Sequence, residues 1–187
     1  MFEQTPAWLG RALSNARAGV SGLAVTRVNA VTLIGRDGFT LASPAYEFGA
    51  EIPARFTADM DAPVPPPLEW TDPPQGTESF ALIVEDPDAP GFKPFCHYLA
   101  WGMTAATRRL AEGERPPFIG RNAFGRCEWL PHDPPTGHGP HEYIFQLFAL
   151  SRQLGLPSGA NRAALLEEMQ GHVRAVALFA GTYERRG

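Results

Sequence analysis

Three stretches gather the residues whose types are suited to site chemistry. The first, Glu85-Asp86-Pro87-Asp88-Ala89-Pro90-Gly91, follows directly on the apolar run Phe80 to Val84. Two prolines restrict this turn, so the carboxylates of Asp86 and Asp88 are aimed instead of mobile. A solvated acidic turn is the competing reading, because exposed aspartate is routine in turns. The second is His97, which leads into Tyr98-Leu99-Ala100-Trp101. Imidazole changes charge near neutral pH, but a histidine at a strand edge is also a common satisfied core or surface residue. The third is the loop from Trp129 to Tyr143, where His132, Asp133, His138 and His141 sit among Pro131, Pro134, Pro135, Gly137, Gly139 and Pro140. Proline narrows the unfolded ensemble as well as the native one, so a shaped loop forms here at little entropic cost.

Other chemistries compete for the same residues. His138 and His141, with His97, Asp133 or His132, offer the nitrogen and oxygen donors a divalent ion takes, and three ligands with an open position activate water. A metal-dependent enzyme using the loop 132–141 is therefore the alternative from another class. Against it, the His-x-x-His spacing lies on a Gly-Pro loop and no cysteine pair supports it. Serine hydrolysis lacks a Gly-x-Ser-x-Gly elbow. Cys96 is next to His97, but neighbours on a strand point to opposite faces, which favours an inert thiol over a nucleophile.

Several elements must hold these residues. Phe80 to Val84, Tyr98 to Met103 and Tyr143 to Leu150 are nearly continuous apolar runs, the pattern of strands buried on both faces. Leu23 to Val28 and Val31 to Ile34 read as early strands, punctuated by Gly35, Asp37 and Gly38. Thr5-Pro6 opens an amphipathic helix through Trp8, Leu9, Ala12, Leu13 and Ala16 that Gly19 stops. Prolines 53, 63, 65, 66, 67, 73 and 74 exclude helix and leave a rigid extended region. Asn161 caps a second helix through Leu165, Leu166 and Met169 that Gly171 stops, and Val173 to Tyr183 returns as a strand. With 19 Gly and 19 Pro spread along 187 residues, the chain is expected to be mainly β. No repeat or linker appears, which predicts a single domain over residues 1–187.

The totals exclude some partners. A net charge of −4 with no basic cluster gives no footprint for nucleic acid or an anionic membrane. No segment has the length of a membrane span and no secretory core opens the chain, so a cytoplasmic location is expected. Cys96 and Cys127 lack metal or redox spacing and read as free thiols. The helix near Trp8 and Leu13 covers either the chain's own sheet or a partner's, and a homodimer is the favoured assembly.

Taken together, Asp86-Pro87-Asp88-Ala89-Pro90, then His97-Tyr98, then Asp133-Pro134-Pro135-x-Gly, then Gly139-Pro140-His141-Glu142-Tyr143 resemble the phosphatidylethanolamine-binding protein family in its bacterial Raf kinase inhibitor-like branch. The likeness runs from about Phe39 to Leu150, and Gly181-Thr182-Tyr183 is similar to the family's closing strand. It divides the chain into a family-like part, 39–187, and an N-terminal extension, 1–38, with the short helix. The resemblance implies an antiparallel Greek-key β core with peripheral N-terminal and C-terminal helices and a small pocket at one end for phosphate-like or carboxylate-like groups. It implies that Asp86, His97, His141 and Tyr143 line that pocket, with Asp88, Asp133, Pro134 and Pro135 as its wall. No cofactor and no catalytic residue are implied; such proteins act as ligand-binding modulators of a kinase or protease. Two imidazoles and a phenol suit an anionic oxygen as hydrogen-bond donors, and a nearby carboxylate would raise the histidine pKa values. The chain departs from the family pattern in Pro131-His132, where a Gly-Pro pair is usual, and in Trp129, where a tyrosine is usual. His132 is expected to face water or to add a donor to the pocket mouth.

Overall fold

The three apolar runs become the three adjacent central strands of one sheet. In the computed structural model, which describes residues 20–185, β1 (Leu41–Ala42), β2 (Leu68–Trp70) and β5 (Arg109–Leu110) form a small sheet in the order β1-β2-β5. The larger sheet has the order β6-β4-β3-β7-β8, from β3 (Ser79–Asp86), β4 (Phe95–Thr104), β6 (Phe118–Ile119), β7 (His141–Leu150) and β8 (Val173–Tyr183). All strand pairs are antiparallel. Because β7 returns to lie beside β3 after β4 and β6 have been laid on its other side, the connection is of Greek-key type.

Both faces of the large sheet are covered, which is why its strands read as apolar runs without alternation. On one face Phe80, Leu82, Val84, Phe145 and Phe179 pack against Leu41, Leu68, Trp70 and Leu110 of the small sheet. On the other, Ala81, Ile83, Leu99, Trp101 and Phe148 meet Leu23, Val25, Leu165, Leu166 and Met169 from the helical segments α1 (Ala24–Arg27) and α2 (Arg162–Met169). The Asn161 side chain accepts from the Ala164 amide at 2.9 Å, capping α2, and Gly171 (φ 74°) adopts the left-handed conformation that ends it.

The early strands are not there. Leu23 to Val28 is instead the short helix α1, and Val31–Leu33 is a 3-10 turn whose neighbour Ile34 makes one bridge to Val176. Tertiary hydrogen bonds override the β propensity of Val25, Val28 and Val31. Glu85 Oε2 accepts from the Ala24 amide at 2.8 Å and Gln146 Oε1 from the Val25 amide at 2.9 Å, satisfying the first free donors of the helix. The amphipathic helix expected around Trp8 and Leu13 lies outside the described residues.

Candidate functional site

Antiparallel pairing brings three distant stretches to one end of the large sheet. Asp86 ends β3 opposite Phe95 at the start of β4, and His141 opens β7 opposite Tyr183 at the end of β8. The period of two then separates neighbours. Glu85 turns to the helical face, where it is fully buried and bonded to Gln146 Nε2 (2.7 Å) and to Arg162. Asp86 turns to the opposite face. A β-bulge at His97 modifies this rule: Val84 pairs with Tyr98 and Glu85 with Cys96, so His97 is the extra residue. Cys96 and Leu99 lie on the helical side, while His97 and Tyr98 share the other face, His97 against Tyr143 and Tyr98 against Trp129.

There they border a cavity of about 320 Å³. Seven of the residues singled out by sequence line it: Asp86, His97, Asp133, Pro134, Pro135, His141 and Tyr143. Asp88 stands behind it, its Oδ2 accepting from the Glu142 amide at 2.9 Å and so tying the acidic turn to β7. Asp86 is an orienter. Its Oδ1 accepts from the Asp88 and Ala89 amides at 2.8 and 3.0 Å, and its Oδ2 accepts from His141 Nδ1 at 2.7 Å. Burial raises the Asp86 pKa, and the bonds from His141 and Asp88 oppose that rise. With Nδ1 committed to Asp86, His141 presents Nε2, which lies 3.0 Å from Nδ1 of the neighbouring His138.

His97 behaves differently from expectation. Its Nδ1 lies 2.9 Å from the Leu130 carbonyl, which can only accept, so the proton sits on Nδ1 and the neutral ring offers Nε2 as an acceptor. Burial pushes its pKa down to about 4, the bond to the Leu130 carbonyl opposes that fall only in part, and His141 adds to it; the expected upward shift does not occur there. Donation from His97 to a ligand oxygen therefore requires a second proton. Tyr143 lines the cavity but is fully buried, and its hydroxyl has no hydrogen-bond partner. Burial, then the negative charges of Asp86 and Asp133, push its pKa up.

His132 neither faces water nor reaches the mouth. It is fully buried with both ring nitrogens unpartnered, its ring centroid 3.9 Å from that of Tyr143 and 5.1 Å from that of Trp129. Burial lowers its pKa far below the ordinary value, and His97 lowers it further. Here the imidazole serves as an aromatic packing unit behind the cavity wall. The residues that sequence reasoning missed are Phe95, whose ring packs on His97 and on the exposed Phe124, and the Leu130 carbonyl that sets the His97 tautomer. Neither carries a local signal, since an aromatic at the start of a strand and a backbone oxygen look alike everywhere. Among the described residues, no three His, Cys, Asp or Glu side chains are grouped to hold a metal ion.

Comparison with known proteins agrees with this architecture. The family model for phosphatidylethanolamine-binding protein matches residues 42–184. A UPF0098 protein of Aquifex aeolicus is 40% identical over 150 residues, spanning 76% of this chain and 86% of that protein. A Mycobacterium tuberculosis protein named as a candidate lipoprotein, LppC, is 36% identical over 148 residues, 76% of this chain and 72% of its own. Among solved structures, the phosphatidylethanolamine-binding protein homologue CT736 of Chlamydia trachomatis superposes with a TM-score of 0.74 at 33% identity, covering 79% of this chain and 97% of that one. YbcL of Escherichia coli superposes with a TM-score of 0.72 at 26% identity, covering 79% and 98%. The matched sequence and the superposed antiparallel fold agree: the chain belongs to the phosphatidylethanolamine-binding protein family, in its bacterial branch.

Proposed function

We propose that this ligand-binding protein takes a small anion, a carboxylate or a phosphorylated group, in the cavity between Asp86, His97, His141 and Tyr143, and that it modulates a partner kinase or protease. The observation that carries the reading is Tyr143, a residue lining the cavity whose buried hydroxyl has no hydrogen-bond partner. Leaving such a donor unpaired costs about 1–3 kcal/mol, which an incoming acceptor oxygen relieves. His97 and His141 line the same cavity. His97, whose Nδ1 is held by the Leu130 carbonyl, becomes a charge-assisted donor through Nε2 when its ring takes up a second proton. His141 Nε2 meets the ligand by exchanging its contact with His138 Nδ1. Anion binding is thus coupled to proton uptake, so affinity falls as pH rises. Asp86 orients His141 and contributes no direct ligand contact. In this reading residues 1–187 form one domain in the cytoplasm and assemble as a homodimer. Among the described residues no helix is long and apolar enough to cross a membrane.

Thermal unfolding of the full chain in increasing inorganic phosphate or acetate tests the pocket. Bound anion should raise Tm by mass action, more at acidic than at alkaline pH, and His141→Ala should abolish the rise. An unchanged rise in that variant would sink the reading. Inhibition assays against panels of kinases and proteases test the modulator role, and light scattering tests the dimer.

A further inference from the structure

The cavity wall poses an electrostatic problem for any anion. Its carboxylates are Asp86 and Asp133, and among the described residues no lysine or arginine lines it. Asp86 is answered by the His141 imidazole at 2.7 Å. Asp133 is answered from beyond the end of β8, where Arg185 Nη1 lies 2.7 Å from its Oδ1. Among the described ion pairs, this is the only one joining an arginine or lysine to a residue of the cavity wall. The guanidinium is also placed by a second carboxylate: Arg185 Nη2 is 3.9 Å from Asp59 Oδ1, and Tyr183, two residues earlier, donates its hydroxyl to Asp59 Oδ2 at 2.6 Å.

We infer that Arg185 is a specificity-determining residue of the pocket, cancelling the charge of Asp133 so that the wall admits an anion. This rests on the anion-binding reading above. Arg185 acts through Asp133 and does not touch the ligand. Without it, Asp133 faces the cavity as an uncompensated negative charge and the pocket turns against anions. Asp133 and Arg185 are both partly exposed, with side chains 49% and 37% accessible, so solvent moderates the interaction. An effect of about tenfold on affinity at low ionic strength is the expected size, shrinking as salt rises.

The test is calorimetric titration of the full chain with inorganic phosphate, comparing the unmodified protein with Arg185→Gln, Asp133→Asn and the double variant. Arg185→Gln should bind about tenfold more weakly at low salt while its Tm without phosphate stays put, since half-exposed ion pairs add little stability. Asp133→Asn, which leaves the guanidinium uncancelled, should bind more tightly than the unmodified protein, and the double variant should return to within about twofold of the unmodified protein, because one charge of each sign has been removed. If Arg185→Gln binds normally, or the double variant stays as weak as Arg185→Gln, the inference is overturned. If phosphate binding is lost in His141→Ala but normal in Arg185→Gln, this inference alone fails; if the unmodified chain does not bind phosphate, the anion pocket fails with it.

Discussion

Replacing His97 with asparagine should flatten part of the stability lost on acidification. Asparagine keeps an N–H for the Leu130 carbonyl that His97 Nδ1 now serves but cannot titrate. The folded pKa of His97 is lowered from 6.5 to about 4 by burial, so between those values the unfolded chain binds a proton that the folded chain refuses. Stability from this group is therefore undiminished above about pH 6.5, falls as pH drops through the window, and levels off below about pH 4. At about 1.4 kcal/mol per pH unit, the loss between pH 7 and pH 5 is roughly 2 kcal/mol, approaching about 3 kcal/mol at the bottom of the window. His132, also lowered by burial, acts in the same direction. Glu142 acts in the opposite one, because burial raises its pKa to about 7 and its folded form takes up a proton that the unfolded form releases. The measurement must therefore be a difference: urea denaturation of the unmodified protein and of His97→Asn at a series of pH values. The gap between their unfolding free energies should change by roughly 2 kcal/mol from pH 7 to pH 5, with the variant losing less. Parallel curves would refute the assignment of a neutral, buried His97. Phosphate should narrow the gap at low pH, because a bound anion favours the imidazolium.

Three further outcomes follow from the packing. Glu85→Ala should cost about 3–5 kcal/mol in urea denaturation, since it removes the carboxylate partner of Arg162 and leaves the Ala24 amide without its acceptor, and it should speed limited proteolysis between residues 20 and 30. Gly181→Ala should cost about 1–3 kcal/mol, because a Cβ there would meet Ile52 at 2.6 Å and the Tyr46 ring at 2.7 Å; a thermal melt matching the unmodified protein would contradict that contact. Thiol alkylation of the native protein should label Cys127 well before Cys96, whose buried thiol has its pKa raised by desolvation; fast labelling of Cys96 would show that its strand opens.

The central strands were legible because both faces of the sheet are covered, so burial imposes apolar residues at every position and leaves a local mark. The α2 cap and its glycine stop were legible for the same kind of reason: Asn161 and Gly171 do their work within a few residues. The segment 23–34 was not. Its valines favour strand, and only the Glu85 and Gln146 side chains, 61 and 121 positions away, supply the acceptors that stabilise a helical turn. His132 failed similarly, for a histidine in a Pro-rich loop gives no sign that it will stack on Tyr143 in the core.

For the site, the family resemblance carried by the order of motifs marked seven residues that line the cavity, whereas local chemistry alone left the acidic turn open to a solvated reading and His97 to a core or surface one. The sheet decided what those groups can do. The bulge turns His97 to the same face as Tyr98, the Leu130 carbonyl chooses its tautomer, and antiparallel pairing sets Asp86 on His141. Protonation and hydrogen-bond direction depend on desolvation and on partners from other strands, and those come into being only when distant segments pack together.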